Sequence, residues 1–452
     1  MIQGSAASLA PLIALGVGAV VAMLLAPGVD RRAVRGIAAI ALATSVALAV
    51  LRIGTPATVV HGLFLDDGMA RFGTVLVGLS GLAALAFLRP ALPAREAPAL
   101  VLLATLGAAV LCGASHAATV FLGLELVTLA LISMFVLPLT RDALEAGYKM
   151  LILGGAGAGT LLFGFALVYA ATGTLALDGW SQRGMLVSLG AALMLAGVAF
   201  KFSLVPFHMW TPDAFSGAPA AAAAFAGVGS KIAVALVLLR IDAAGLPEPA
   251  WSLGLAWMGA ASILLGNLLA LRQVSITRML GYSSIAHSGY LAVILASGAV
   301  SAPEAVLFYI ASYAPALIAG LCVAALLGGT ATLEDARGLL WHRPLAGIAF
   351  VLSLLSLAGL PAAVGFFGKF YLFTALIQGQ AWALLAIAAT GSALGIAYYA
   401  RFAAVACRQG TRDGVPAPRW PDGAVLTACA AVILALGIYP MPLVQAARLA
   451  LP

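Results

Sequence analysis

Charge is scarce in this chain. Of its 452 residues only 9% are Asp, Glu, Lys or Arg, while 63% are hydrophobic. No soluble core needs that much apolar surface, so a soluble globular protein is excluded. Cysteine is sparse too. Cys112, Cys322, Cys407 and Cys429 stand far apart, with no Cys-x-x-Cys and no histidine at ligand spacing, so disulfide, zinc and iron–sulfur readings have no support. Hydrophilic stretches long enough to house a separate soluble domain are missing. Lysine is the scarcest charge of all: 19 of the 23 basic residues are Arg and four are Lys.

In place of charge there are apolar runs of about 20 residues, each long enough to cross about 30 Å of hydrocarbon. Fourteen spans are expected, at 5–26, 34–52, 69–88, 97–115, 117–138, 146–171, 184–205, 219–240, 250–270, 276–298, 303–328, 345–377, 381–402 and 422–447. The fold class is therefore all-α, a polytopic helical membrane protein in a lipid bilayer. The first run lacks a basic leader and is too long for a signal-peptide core, so it reads as span one. The net charge of +7 does not indicate nucleic-acid binding, because the arginines lie in short loops between spans. With the N-terminus outside, 14 arginines from Arg31 to Arg419, Arg412 among them, fall on the inside. Five fall outside: Arg52, Arg71, Arg183, Arg240 and Arg448. That bias places inside loops in the cytoplasm and, over fourteen spans, both termini on the periplasmic side.

Two spans carry a proline beside a lysine. Phe200-Lys201-Phe202-Ser203-Leu204-Val205-Pro206-Phe207-His208-Met209-Trp210-Thr211-Pro212-Asp213 ends span seven, and Gly359-Leu360-Pro361-Ala362-Ala363-Val364-Gly365-Phe366-Phe367-Gly368-Lys369-Phe370 lies within span twelve. Proline cannot donate a backbone hydrogen bond and breaks the helix. Irregular backbone at membrane depth is tolerated where protein covers it or it lines a watery cavity. Two broken helices five spans apart are the pattern of an inverted internal repeat with an ion path at the breaks. The chain then divides into N-terminal helices (1–96), a first five-helix repeat (97–240), a second (250–402) and a last helix (422–452).

The four lysines, Lys149, Lys201, Lys231 and Lys369, all fall within spans, whereas every arginine falls in a loop or at a span edge. Arginine does not release its proton in any usable range; a buried lysine can. Lysines inside and arginines outside are what a proton path requires, although a lysine near a span end, Lys149 above all, can also snorkel to the interface. Fifteen of sixteen carboxylates lie in loops or at edges. The exception, Glu125 in Phe121-Leu122-Gly123-Leu124-Glu125-Leu126, needs a partner in hydrocarbon, and Lys201 is the expected one. His287, flanked by Ser283, Ser284, Ser288 and Tyr290, can relay protons between Lys231 and Lys369 or stand as a neutral core histidine. His208, in the first break, can relay protons or satisfy freed backbone groups. Gly154-Gly155-Ala156-Gly157-Ala158-Gly159 lacks the Gly-Lys-Ser/Thr ending of a phosphate loop, and Gly155 with Gly159 reads as close helix packing.

These motifs resemble the antiporter-like proton-translocating subunits of respiratory complex I, from about Asp66 to about Arg401. Phe121–Leu126 is similar to the family's fifth helix. Val205-Pro206-Phe207-His208-Met209-Trp210-Thr211-Pro212-Asp213 with Gly217-Ala218-Pro219 resembles the segment after its broken seventh helix. Tyr282-Ser283-Ser284-Ile285-Ala286-His287 and Gly365-Phe366-Phe367-Gly368-Lys369-Phe370 are similar to its tenth and twelfth. The Trp-Thr-Pro-Asp…Gly-Ala-Pro wording favours the N branch of the bacterial NADH–quinone oxidoreductase family over its L and M branches and the sodium/proton antiporters. No lateral helix like that of the L branch follows span fourteen.

The resemblance implies Glu125 and Lys201 as the input pair, Lys231 as the connecting lysine, His287 as the central relay and Lys369 as the distal site. Lys149 matches a sixth-helix lysine. It also implies that the chain is a non-redox subunit of a translocase with no cofactor of its own. Flavin (FMN), iron–sulfur clusters and quinone would be handled by other subunits. The implied partners are an antiporter-like subunit M and small membrane subunits A, J and K, and the implied site is the bacterial cytoplasmic (inner) membrane. Two readings stay open beside it: a subunit of a sodium/proton antiporter or membrane-bound hydrogenase, and a non-pumping scaffold with structural buried charge.

Overall fold

The structure, a computed structural model, describes residues 2–89, 95–246, 248–409 and 417–451. Arg412 therefore lies outside the described residues. The N-terminal part comprises α1 (Ile2–Leu25), α2 (Arg31–Leu51), a hairpin of β1 (Thr58–Val60) and β2 (Phe64–Asp66), and α3 (Gly68–Phe87). Next come α4 (Ala97–Cys112), α5 (Ala117–Val136), α6 (Arg141–Thr172), α7 (Met185–Phe202), α8 (Trp210–Gly217), α9 (Ala220–Gly227) and α10 (Gly229–Ala243). They are followed by α11 (Glu248–Leu271), α12 (Ile276–Ala296), α13 (Ala302–Leu326), α14 (Leu339–His342), α15 (Pro344–Ala358), α16 (Val364–Gln378) and α17 (Trp382–Cys407). The chain closes with α18 (Trp420–Ile438) and α19 (Met441–Leu449).

Among the described residues, twelve spans are long and apolar enough to cross a membrane. With the shorter α4 and the broken α15–α16 pair they account for the fourteen expected. Polar caps set several starts: Asp67 accepts from the Ala70 amide at 2.8 Å at α3, and Thr140 from the Ala143 amide at 3.4 Å at α6. The expected last span, 422–447, is cut short. Pro440 cannot continue a helix, so α18 ends at Ile438 and the polar-faced α19 follows. Span eight has an unexpected irregularity at Val228, between Gly227 and Gly229, which divides α9 from α10 three residues before Lys231.

Helices pack closely where glycines face one another. A β-carbon on Gly197 of α7 would lie 2.7 Å from the Gly157 carbonyl oxygen of α6, and one on Gly289 of α12 2.7 Å from the Gly259 oxygen of α11. Gly155 and Gly159, expected at such a contact, have open space instead. They lie on the outer face of α6, and Gly157 and Gly164 make the contact. The interior of the bundle is α9–α10, α12 and α13, which are buried along almost their whole length, whereas α1, α2, α6, α17 and α18 expose much of their apolar surface. Lys231 and His287 ride on the interior helices.

Candidate functional site

Both breaks close in the same way. Ser203, with φ +63°, ends α7, and the Leu204 amide donates to the Ala199 carbonyl at 2.9 Å. Gly359, with φ +77°, ends α15, and the Leu360 amide donates to the Leu355 carbonyl at 3.0 Å. Each is a helix end closed by a left-handed residue and a bond reaching back five residues. The lysines meet these ends from different sides. Lys201 belongs to the last turn of α7 itself. Lys369 sits on α16 and donates back to the Ala358 carbonyl, the last residue of α15, at 2.6 Å. Ammonium groups at helix C-termini meet the negative end of the helix dipole, which offsets part of the cost of burying them.

Lys201 is 8% exposed, Lys231 3% and Lys369 6%. Lys201 donates to the Thr128 hydroxyl and lies 5.5 Å from the centre of the Phe200 ring. The expected direct pair with Glu125 is not formed. Glu125 is one turn before Thr128 on α5, half-buried, and acts on Lys201 through space; the Thr128 hydroxyl, itself bonded to Leu124, takes the contact. Lys231 donates to the Ser284 carbonyl at 2.9 Å and the Ser288 hydroxyl at 2.7 Å. Lys369 also bonds Ser392 at 2.8 Å. Lys201 thus rests on a hydroxyl, and Lys231 and Lys369 each on a hydroxyl and a carbonyl, which hold an ammonium without neutralising it.

His287 is clasped between two phenols, Tyr309 at 2.9 Å from Nδ1 and Tyr399 at 3.3 Å from Nε2, and Tyr399 continues to Ser283. On the same helix, Ser284 bonds Tyr313 at 2.7 Å, and the Tyr313 ring lies 4.9 Å from the imidazole. Two small cavities flank this network, each of about 10 Å³. One is bordered by Thr128, Lys201, Trp210 and Ser230, the other by His287, Tyr309, Ser312, Ser356 and Lys369. Each has a few polar groups in a largely apolar wall and room for about one water centre. Direct hydrogen bonds therefore hold two separate groups in the middle of the row, Lys231 with Ser284 and Ser288 and His287 with Tyr309 and Tyr399, and water-sized gaps adjoin Lys201 and Lys369. Such an array can pass protons among ammonium, hydroxyl and imidazole groups.

The remaining candidates lie apart from it. Lys149 is 36% exposed in its side chain and pairs with Glu145 and Asp213, each at 2.6 Å, while Asp213 also holds Arg278 at 2.9 Å. This links α6, α8 and α12 near the surface. The ring of His208 reaches the backbone of Pro206, and its Nδ1 is buried without a partner among the described residues. The other groups freed at the first break are taken by Trp210, whose indole donates to the Phe200 carbonyl at 2.9 Å, and by Ser262, which accepts from the Val205 amide at 2.9 Å. Thr128, Tyr309, Tyr313, Tyr399 and Ser392 did not emerge from the sequence. Thr128, at three residues from Glu125, carried a signal; the tyrosines of α13 and α17 are indistinguishable in sequence from packing aromatics.

Two arginines expected at span edges are also buried. Arg71 is 3% exposed and bonds Asp66, which Arg52 shares, and Arg240 is 9% exposed and bonds Asp67 and the Cys112 carbonyl. They tie the ends of α3, α4 and α10 together.

Residues 114–395 match the family described as "NADH:quinone oxidoreductase/Mrp antiporter, TM". The chain is 59% identical to NADH-quinone oxidoreductase subunit N of Cereibacter sphaeroides, over 99% of this chain and all of that protein. The chain belongs to the NADH-quinone oxidoreductase subunit N family. A second member, from Rhodopseudomonas palustris, is 56% identical over 98% of both chains. A chain of respiratory complex I from Thermus thermophilus, solved with bound aureothin, superposes with a TM-score of 0.88 at 33% identity, covering 96% of this chain and 98% of that one. The Mrp complex from Dietzia sp. DQ12-45-1b has a chain with a TM-score of 0.88 at 22% identity, covering all of this chain and 97% of that one, which shows a shared fold. As in that family, the chain is a multi-pass membrane protein.

Proposed function

We propose that this chain is the proton-translocating membrane subunit N of an NADH–quinone oxidoreductase, acting as a non-redox part of that translocase. NADH oxidation and quinone reduction, with their flavin and iron–sulfur centres, belong to other subunits. Its neighbours would be the antiporter-like subunit M and the small subunits A, J and K, in the bacterial inner membrane with both termini periplasmic. The carrying observation is the row of buried lysines, Lys201 on a hydroxyl and Lys231 and Lys369 each on a hydroxyl and a carbonyl, with His287 on the interior helix α12 between two phenols. In this reading protons pass along Glu125, Lys201, Lys231, His287 and Lys369, with small rearrangements at the two broken helices and single waters joining the segments. The breaks in α7 and in α15–α16 support two inverted repeats, 97–240 and 250–402. Lys149 would tune the surface entrance and His208 steady the first break.

The test is proton uptake in inverted membrane vesicles, followed by a pH-gradient dye beside NADH oxidation. Lys201→Ala is expected to assemble and to pump fewer protons per NADH. Lys369→Arg should also impair pumping, because arginine keeps the charge and will not release the proton. Normal pumping by both assembled variants would overturn the reading.

A further inference from the structure

The chain of 452 residues contains one asparagine, and it lies inside a span. Asn267, on α11, is 1% exposed. An amide buried in a membrane protein is costly unless its polar atoms find partners. Here they do. Nδ2 donates to the Ile263 carbonyl at 2.7 Å and to the Tyr290 hydroxyl at 3.3 Å, and Oδ1 accepts from the Tyr398 hydroxyl at 3.0 Å. A carbonyl only accepts, so the bond to Ile263 fixes which end of the amide is nitrogen. Room for this knot comes from two glycines of α17. A β-carbon on Gly391 would lie 3.0 Å from the Tyr290 hydroxyl and 3.1 Å from Nδ2, and one on Gly395 would lie 3.4 Å from Oδ1.

The two phenols held by Asn267 stand beside the distal half of the proton row. The Tyr290 ring meets the His287 imidazole edge-on, with centres 5.7 Å apart, and its own centre is 5.9 Å from Nζ of Lys369. One ring thus adjoins both groups. The Tyr398 ring lies 4.3 Å from that of Tyr399, whose hydroxyl meets Nε2 of His287 at 3.3 Å. The site needs two donors and an acceptor on one short side chain, which a primary amide supplies. A hydroxyl has a single donor, and a carboxylate has none and would itself bind protons. We infer that Asn267 is a positioning residue of the proton row, fixing the Tyr290 and Tyr398 phenols so that His287 and Lys369 keep the geometry for transfer. The inference rests on the proton path proposed above. Proton transfer needs partners at hydrogen-bonding distance, and a fully satisfied buried network holds its members in one arrangement.

The test follows protons pumped per NADH in inverted vesicles, with the amount of complex read on native gels. Asn267→Leu keeps the volume and removes the amide. It is expected to lower pumping per NADH about twofold or more, within what a misplacement of roughly 1 Å costs a transfer step. That substitution also leaves two buried hydroxyls unpaired, which by itself lowers stability. A triple variant, Asn267→Leu with Tyr290→Phe and Tyr398→Phe, has no such orphaned groups. It should assemble at wild-type level and pump as poorly as Asn267→Leu, because the rings are no longer tethered. Wild-type pumping by either variant, or loss of assembly in the triple variant, would make the knot a packing device only and overturn the inference. Lys201→Ala and Lys369→Arg separate the two readings. Normal pumping by both removes the proton path itself, whereas impaired pumping by both with normal pumping by Asn267→Leu removes only the role of Asn267.

Discussion

Thr128 is the residue that most changes the chemistry expected of the site. A carboxylate bonded directly to Lys201 would hold its charge in place, whereas a hydroxyl leaves the ammonium solvated but not neutralised. A hydrogen bond to a charged group contributes about 1.5–3 kcal/mol. Thr128→Val is therefore expected to lower the protons pumped per NADH while the complex still assembles, read from dye quenching against NADH oxidation; an unchanged ratio would mean that the hydroxyl only packs. Lys149 is the contrasting case. Its ion pairs with Glu145 and Asp213 are partly exposed, and such pairs are worth about 0–1 kcal/mol. Lys149→Met should keep more than about half of wild-type pumping, and a loss as deep as that of Lys201→Ala would place Lys149 on the main path. Sequence marked all four lysines and set Lys149 apart as the one nearest a span end, but left its role open, because burial and partners come from helices far apart in the chain.

The broken helix is the unit at which strain and function meet. Gly359 is needed at its position for two reasons: its φ is +77°, and a β-carbon there would lie 2.4 Å from Cδ of Lys369. Gly359→Ala should cost about 1–2 kcal/mol in backbone strain and push the lysine off the Ala358 carbonyl. The expected result is an assembled complex with depressed pumping, measured in the same vesicles; wild-type pumping would show that the Lys369 contact is dispensable. Both major breaks were legible from Pro206 and Pro361. The irregularity at Val228 and the shortening of α18 were less so. A Gly-Val-Gly step carries no proline to mark a break, and Pro440 lies inside the expected last span, where the apolar Met441, Leu443 and Val444 that follow it let the run read as continuous.

Across the whole molecule, buried ion pairs connect the N-terminal helices to the central ones. Arg240 on α10 reaches Asp67 at the start of α3 and the Cys112 carbonyl at the end of α4. Removing one member of a buried pair leaves the other uncompensated, at about 3–5 kcal/mol, and the partial exposure of Asp67 argues for the lower end. Arg240→Met should reduce the amount of complex assembled in the membrane, seen on native gels, and Asp67→Asn in the same chain should restore part of it. No restoration would assign the loss to the Cys112 carbonyl instead.

Composition and periodicity alone determined the membrane class, the number of spans, the two broken helices and which lysines and histidine lie within spans. Hydrocarbon admits few structures and penalises every buried charge, so those features stand out in a chain that is only 9% charged. Tertiary structure alone decided which hydroxyl meets Lys201, which phenols hold His287, that Lys149 sits at the surface, and that Arg71 and Arg240 are buried. Each depends on contact between helices separated by tens to hundreds of residues, and neither composition nor periodicity within one helix carries information about the rotation of its neighbour.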